Sequence, residues 1–204
     1  MEGSSQPSNG QTTISETAGA RVTLEEQRAE FARRRLIAMP LAGAVVWTAI
    51  GVAGAFLPPI LKVWSLFVGT GVIAYLGMLF SRVTGEDFLA KGKPKNSFDA
   101  LFFLTIAMAL MVYAIAIPFF QADYTSLPLT VGILSGLMWL PLSWIIDHWI
   151  GAFHAVARTL SVLVLWYGFP HARFVAVPAA IVAVYLVTIW VLERRWRSAN
   201  EGAS

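Results

Sequence analysis

The sequence predicts an all-α integral membrane protein, a bundle of six transmembrane helices with both termini in the cytoplasm. The first observation is composition: of the 204 residues, 57% are hydrophobic and only 13% are charged, whereas soluble proteins carry about 25% charged residues. The second is that the apolar residues form six long runs, and the third is that basic residues collect at alternate ends of these runs. The mean hydropathy of +0.65 fits the same class.

The six runs have lengths close to the value that a membrane requires. A bilayer core about 30 Å thick is crossed by a helix of about 20 apolar residues. The runs that reach or approach this length are residues 36–57, 63–81, 100–120, 128–146, 149–166 and 174–192. Pro58 and Pro59 end the first run, and Pro141 is expected to kink the fourth. Gly132 and Gly136, four positions apart, would let another helix approach the fourth run closely.

The six-span domain is predicted to cover residues 23–197. Residues 1–22 lack an apolar run and are predicted to be a disordered tail, and residues 198–204 are predicted to be a C-terminal tail. Thr23 and Glu26 have the spacing of a capping box, which predicts a helix start. No breaker separates this start from Leu36, so we expect one continuous helix to enter the membrane.

Basic residues orient the spans, because cytoplasmic loops are enriched in Lys and Arg. Three groups fall on one side: Arg21, Arg28, Arg33, Arg34 and Arg35; Arg82, Lys91, Lys93 and Lys95; and Arg194, Arg195 and Arg197. Lys62 and Arg173 fall on the other side. A five-span alternative that fuses the fourth and fifth runs would export the C-terminal arginines, so six spans with cytoplasmic termini are favoured.

Composition and spacing also exclude several kinds of site. The chain has no cysteine, which excludes disulfides, thiolate nucleophiles and cysteine metal sites. The net charge of +3 comes from residues at span ends, a distribution typical of topology and not of a nucleic-acid-binding surface. His148 and His154 are six residues apart, which is not the spacing of a helical zinc site. We therefore predict no metal ion, no cofactor and no nucleic-acid partner.

One stretch departs from the apolar pattern: DHWIGAFHAVARTL, residues 147–160. At 100° per residue, one helix face within about 80° holds a stripe of polar or small residues: Asp147, Gly151, His154, Arg158 and Ser161. His148 lies off this stripe, near the membrane surface. From the turn that precedes the fifth run, His154 is about 9 Å and Arg158 about 15 Å along the helix, so Arg158 is expected near mid-bilayer.

An arginine at that depth needs partners, because a central charge costs about 2.5–3.5 kcal/mol on the insertion scale. Asp147 is about 16 Å of rise away from Arg158 and is expected to pair with His148 or His154. The guanidinium must therefore meet backbone carbonyls, water, an external anion, or hydroxyls such as those of Ser143, Thr159 and Ser161. Two interpretations stay open: a polar site for a solute or a proton, and a structural hub bonded to carbonyls freed by Pro141 or by span ends.

Membrane enzymes are less well supported, and no catalytic residue is predicted. Ser135 lies in GILSG, similar to the GxSG of intramembrane serine proteases, but its depth differs from that of His154 by about 10 Å. Ser143 matches the depth of His154 better but has no motif. Lipid phosphotransfer needs clustered carboxylates for Mg²⁺, and one Asp does not suffice.

Four motifs carry a resemblance to known proteins: HAVART (154–159), WYGFPHARF (166–174), ARRRLIAMPLAGAVVW (32–47) and FLPP (56–59). With them the chain resembles a family of small bacterial multi-span membrane proteins of unknown function. The likeness extends over residues 30–195 and excludes the N-terminal tail. It implies a bacterial cytoplasmic membrane as the setting, and it implies no catalytic roles.

The function that the sequence favours is a permease-like or solute-binding membrane protein with a polar pocket at Arg158 and His154. Further candidates for substrate binding or proton relay are Asp147, His148, Ser143 and Ser161. The alternative is a non-catalytic scaffold or accessory subunit, and an intramembrane or lipid-acting enzyme comes third. The expected partners are membrane lipids, a small solute or anion, and a second copy of the chain or a partner membrane protein.

Overall fold

The computed structural model describes residues 22–86, 88 and 96–201, and in these ranges the chain is helical and has no strand. The helices are α1 (Leu24–Ala32), α2 (Ala38–Phe56), α3 (Pro59–Val83), α4 (Ser97–Met111), α5 (Tyr113–Ala122), a 3₁₀ turn (Tyr124–Ser126), α6 (Leu127–Leu134), α7 (Trp139–Ile145), α8 (Ile150–Gly168) and α9 (Arg173–Glu201). Residues 1–21 of the predicted tail (1–22), the three lysines Lys91, Lys93 and Lys95, and the last three residues lie outside the described residues.

Six helical segments of the described chain are long and apolar enough to cross a membrane. Four are single helices, namely α2, α3, α8 and α9, and the third and fourth segments are composite: α4 continues into α5, and the 3₁₀ turn continues into α6 and α7. The all-α class and the six apolar helices are therefore as the sequence predicts. The last helix extends to Glu201, past the predicted end of the sixth run at residue 192.

The entry to the first long helix differs from the prediction. The capping box forms as expected, because Thr23 Oγ1 accepts from the Glu26 amide at 3.2 Å and Glu26 Oε2 accepts from the Thr23 amide at 2.8 Å. However, α1 ends at Ala32, and the backbone turns at Leu36, whose φ is +60°. The prediction of one continuous helix is therefore wrong, because α1 and α2 are separate helices.

The N-terminal end of α2 is capped by a carboxylate from a distant part of the sequence. Glu86, in the segment after α3, accepts hydrogen bonds through Oε1 from the amides of Ile37 at 3.0 Å and Ala38 at 2.9 Å. The first amides of a helix have no partner within the helix. Glu86 supplies a hydrogen-bond acceptor for these two amides, so both stay paired although the helix is interrupted before α2.

The short helix α1 then lies across the ends of other helices. Phe31 is 1% exposed and packs against Phe98 and Phe102 of α4, with ring centroids 6.5 Å and 6.0 Å apart. Arg28 donates to the carbonyl oxygens of Trp144 and Ile145 at the end of α7. The helix α1 therefore ties α4 and α7 together at one end of the bundle.

The central helices are α2, α8 and α9, and α2 packs closely against both α3 and α9. Two glycines of α2 allow the approach of α9, because a Cβ on Gly43 would overlap the ring of Tyr185 and one on Gly54 would overlap the carbonyl of Phe174. The outer helices α3 and α4 keep large apolar side chains exposed, including Val68, Tyr75, Leu79, Leu104 and Met108. The core therefore lies around α2 and α9.

The fourth candidate span is interrupted at residues 135–138, shortly before Pro141, the proline that we expected to kink its helix. The Gly136 amide bonds to the carbonyl of Ile133 at 2.8 Å in place of Gly132, so the carbonyl of Gly132 is released from the helix. Pro141 has no amide hydrogen to continue the ladder. Both Gly132 and Gly136 face α8, as their spacing suggested.

Candidate functional site

The polar stripe on α8 is divided between the interior and the surface. Gly151, His154 and Arg158 are buried, with His154 and Arg158 0% exposed. Ser161 is half-buried and donates to the carbonyl of Arg158 at 3.1 Å. Asp147 is exposed and pairs with Arg28 at 3.3 Å, where we had expected His148 or His154 as its partner. The buried part of the stripe therefore centres on His154 and Arg158.

Arg158 donates hydrogen bonds to groups at the C-terminal end of α6, where the fourth span is interrupted. Its Nε donates to the released carbonyl of Gly132 at 2.6 Å, Nη2 to Ser135 Oγ at 2.8 Å, and Nη1 to Tyr185 Oη at 3.1 Å. The carbonyl end of a helix carries a partial negative charge that favours a cation. The break in the fourth span thus supplies a partial counter-charge, which no carboxylate of the described residues provides.

This geometry corrects one sequence expectation about Arg158. A carbonyl and hydroxyls were expected, but the hydroxyls that bind the guanidinium belong to Ser135 and Tyr185. Among the described residues, no hydrogen bond joins the guanidinium to the side chains of Ser143, Thr159 or Ser161. From the sequence of one helix, only partners along the same helix face can be predicted. The real partners lie on α9 and beside the break, on other elements of the chain.

Two aromatic rings complete the surroundings of the guanidinium. Its Cζ lies 5.3 Å from the ring centroid of Trp47 and 5.5 Å from that of Tyr185. The face of an aromatic ring is negative and attracts a cation, most strongly where water is absent. Gly136 leaves room for the side chain, because a Cβ there would lie 2.8 Å from Arg158 Cδ.

His154 holds a nitrogen that has no hydrogen-bond partner among the described residues. Its Nδ1 lies 2.8 Å from Thr188 Oγ1, whose own proton goes to the carbonyl of Val184 at 2.8 Å. Thr188 must then accept, so Nδ1 carries the proton of the neutral imidazole and Nε2 is left as an acceptor. That Nε2 is buried and unpaired in the described structure. The ring is covered by Trp139, stacked at 4.2 Å, and by the edge-on ring of Tyr185 at 4.7 Å.

Asp147 and His148 lie in the turn between α7 and α8, and Ser143 lies in α7 and bonds to that turn. All three lie apart from His154 and Arg158, the buried pair. Ser143 Oγ donates to the carbonyl of His148 at 2.6 Å, and His148 Nδ1 accepts from the Ile150 amide at 3.2 Å. Partial burial and the charge of Arg195 lower the pKa of His148. The structure gives these three residues contacts that shape the turn.

A cavity of about 70 Å³ lies beside the buried pair. One water needs about 10–15 Å³ in this measure, so the cavity can hold several waters or a small organic group. Its walls come from α2, α3, α4, α5, α9 and the interrupted span, and most are apolar. Polar groups enter from Ser135, from Tyr185 and from the hydrogen-bonded pair Thr70 and Tyr113.

Three cavity residues also contact the buried pair: Ser135 and Tyr185 bind Arg158, and Trp139 stacks on His154. The positions of Trp47, Trp139 and Trp190 deep within their runs predict side chains that pack or line a cavity. Trp47 and Trp139 are buried, whereas Trp190 is 58% exposed. Tyr185 and Thr188 gave no signal. Within the described ranges, no group of three or more His, Asp or Glu side chains is placed to hold a metal ion.

The chain matches the model of one protein family over most of its length. The model of a family of unknown function, DUF7010, matches residues 24–195. No curated protein and no solved structure matches the chain. The matched segment contains α1 to α8, most of α9, and every residue of the buried pair and the cavity.

Proposed function

The chain belongs to the family of unknown function DUF7010, and we propose that it is a permease-like, solute-binding protein. It crosses the cytoplasmic membrane of a bacterium six times, with residues 23–197 as the membrane domain and both termini inside. The solute site is the cavity next to Ser135, with Arg158 and His154 behind it.

The observation that carries this proposal is the interruption of the fourth span where it borders a cavity. Lipid-exposed backbone cannot leave its helical hydrogen bonds, so an interruption at membrane depth is tolerated only in a protein interior or beside a polar cavity. Transporters place such interruptions at their binding sites, because the freed carbonyls and amides can contact a solute. Here Ser135, the first residue of the break, lines the cavity and also binds Arg158.

The unpaired Nε2 of His154 supports the same proposal. A buried acceptor without a donor costs about 1–3 kcal/mol, and a solute with an N–H or O–H group would remove that cost. Trp139 and Tyr185 separate Nε2 from the cavity, so contact requires one of these rings to move. Arg158 disfavours a cation, so the preferred solute is small, carries a donor, and is neutral or anionic.

Thiol accessibility tests the proposal, because the natural chain has no cysteine. We expect Ser135→Cys and Thr70→Cys, which line the cavity from different elements, to react with a charged, membrane-impermeant methanethiosulfonate in native membranes. The matched control is Thr130→Cys in the same span, whose hydroxyl bonds to the carbonyls of Ser126 and Leu127 and which does not line the cavity.

The reactivity of the cavity cysteines relative to the control distinguishes an open cavity from a closed one. A permease must let water and solute reach the cavity, so both cavity cysteines should react far faster than the control. If Ser135→Cys stays as unreactive as Thr130→Cys in folded protein, the cavity is closed to water and the permease proposal fails.

The second candidate is a non-catalytic scaffold or accessory subunit, and the bonding of Arg158 favours it. Three hydrogen bonds and two aromatic faces surround this side chain, which is what a structural hub needs. The exposed apolar faces of α3 and α4 would then meet another membrane protein. Unreactive cavity cysteines together with a partner chain that co-purifies stoichiometrically would support the scaffold.

A further inference from the structure

The outward face of the last helix carries a groove that the proposed solute site does not use. It is lined by Leu186, Ile189, Trp190, Glu193, Arg194 and Arg197. Leu186 and Trp190 are 57% and 58% exposed, so this face points away from the bundle. On the opposite face Leu192 is fully buried, and Arg195 donates to the carbonyls of Ala32 and Ile146.

The groove changes from apolar to cationic along the helix axis. Leu186, Trp190, Arg194 and Arg197 follow each other at spacings of four, four and three, so they share one face. The apolar members lie toward the middle of the span and the arginines lie toward its end. This order matches the polarity of a phospholipid, whose acyl chains lie deeper than its headgroup.

The charges at the headgroup end leave an excess of positive charge. Glu193 accepts from Arg35 at 2.7 and 2.9 Å and from Arg197 at 2.9 Å, so a single carboxylate serves two guanidinium groups. The side chain of Arg197 remains 65% exposed. Arg194 lies over the ring of Trp190 at 4.7 Å and forms no salt bridge within the described part of the chain.

We propose that this groove binds one anionic phospholipid. Arg194 and Arg197 hold the phosphate, because guanidinium groups match phosphate oxygens in charge and in hydrogen-bond geometry. Leu186, Ile189 and Trp190 contact an acyl chain. A free phosphate would use only the cationic half, so the apolar half selects a lipid. The inference rests on the membrane placement proposed above but not on the solute cavity.

The test compares lipids on the purified full-length chain in a zwitterionic detergent. Thermal melting is recorded with phosphatidylglycerol, with phosphatidylcholine and with inorganic phosphate. We expect phosphatidylglycerol alone to raise the melting temperature of the wild type, because a ligand that binds only the folded state stabilises it. The same three titrations are run on R194Q/R197Q and on the charge-matched control R33Q/R82Q.

The variants decide whether the groove is responsible. Arg33 and Arg82 are exposed at the same end of the bundle and lie outside the groove, so R33Q/R82Q should keep the full shift while R194Q/R197Q loses it. The proposal would be overturned if both variants lost the phosphatidylglycerol-induced rise in melting temperature equally, or if both kept it equally. It would also be overturned if inorganic phosphate alone raised the melting temperature of the wild type as much as phosphatidylglycerol. Carbonate extraction of membranes separates the two proposals: a chain released by carbonate contradicts the membrane placement, whereas an embedded chain without a lipid shift contradicts only the groove.

Discussion

At the scale of single residues, arginines of this chain close the carbonyl ends of helices. Arg158 binds the carbonyl of Gly132 at the end of α6, Arg28 binds those at the end of α7, and Arg195 binds the carbonyl of Ala32 at the end of α1. Each helix end leaves carbonyls without partners, and an apolar environment provides no water for them. Arginine suits this task because it offers several donors and stays charged.

The substitution Arg158→Gln tests this role. Glutamine is too short to reach Gly132, Ser135 and Tyr185 together, so at least one buried acceptor loses its donor at a cost of about 1–3 kcal/mol. We expect a lower free energy of unfolding by that amount, measured by denaturant titration in detergent. Arg82→Gln, an exposed arginine at the end of α3, serves as the control and should change stability by less than about 0.5 kcal/mol.

A different result would assign Arg158 another role. If Arg158→Gln unfolds like the wild type but loses solute binding, the guanidinium acts on the solute and does not hold the break. If both variants lose stability equally, the cost reflects charge removal in general and not the carbonyl of Gly132.

At the scale of elements, the junction between α1 and α2 depends on one carboxylate from a distant segment. Glu86 accepts from the amides of Ile37 and Ala38 and from the hydroxyl of Thr84 at 3.0 Å. Burial raises the pKa of Glu86 above its ordinary value of 4.5, while these hydrogen bonds and the charge of Arg35 act against the rise. The contribution of this cap to the stability of the fold is therefore expected to depend on pH.

The sign of this coupling gives a prediction for Glu86→Gln. A carboxyl whose folded pKa is raised favours the folded state most at low pH, and that contribution is lost as pH rises from 4.5 through the folded pKa. Glutamine cannot ionise, so the stability of Glu86→Gln relative to the wild type should increase as pH rises. Detergent melting from acidic to neutral pH measures the difference, and Glu25→Gln on the exposed face of α1 should show no such trend. A variant that falls further behind the wild type as pH rises would mean that the capping bonds outweigh burial.

At the scale of the whole molecule, the sequence predicts what neighbouring residues determine and misses what distant residues determine. The six apolar helices follow from runs of local hydrophobicity, and the interruption near Pro141 follows from a missing amide hydrogen. The break at Leu36 could not be read, because its cap comes from Glu86, far along the chain. The partners of Arg158 and His154 on α9, Tyr185 and Thr188, were invisible for the same reason.

The orientation of the bundle is the last prediction, and it concerns the two ends of the molecule. One end gathers Arg34, Arg35 and Arg195 with the carboxylates of Asp99 and Glu193, while the other holds Arg173 beside Asp123. Since basic residues near span ends are retained in the cytoplasm, we expect Ser198→Cys to react with an impermeant maleimide only after cells are permeabilised. His171→Cys, exposed in the turn between α8 and α9, should react in intact cells. Labelling in the reverse order would invert the topology. Labelling of both in intact cells would place positions 171 and 198 on the same side, which contradicts a membrane-crossing α9 between them.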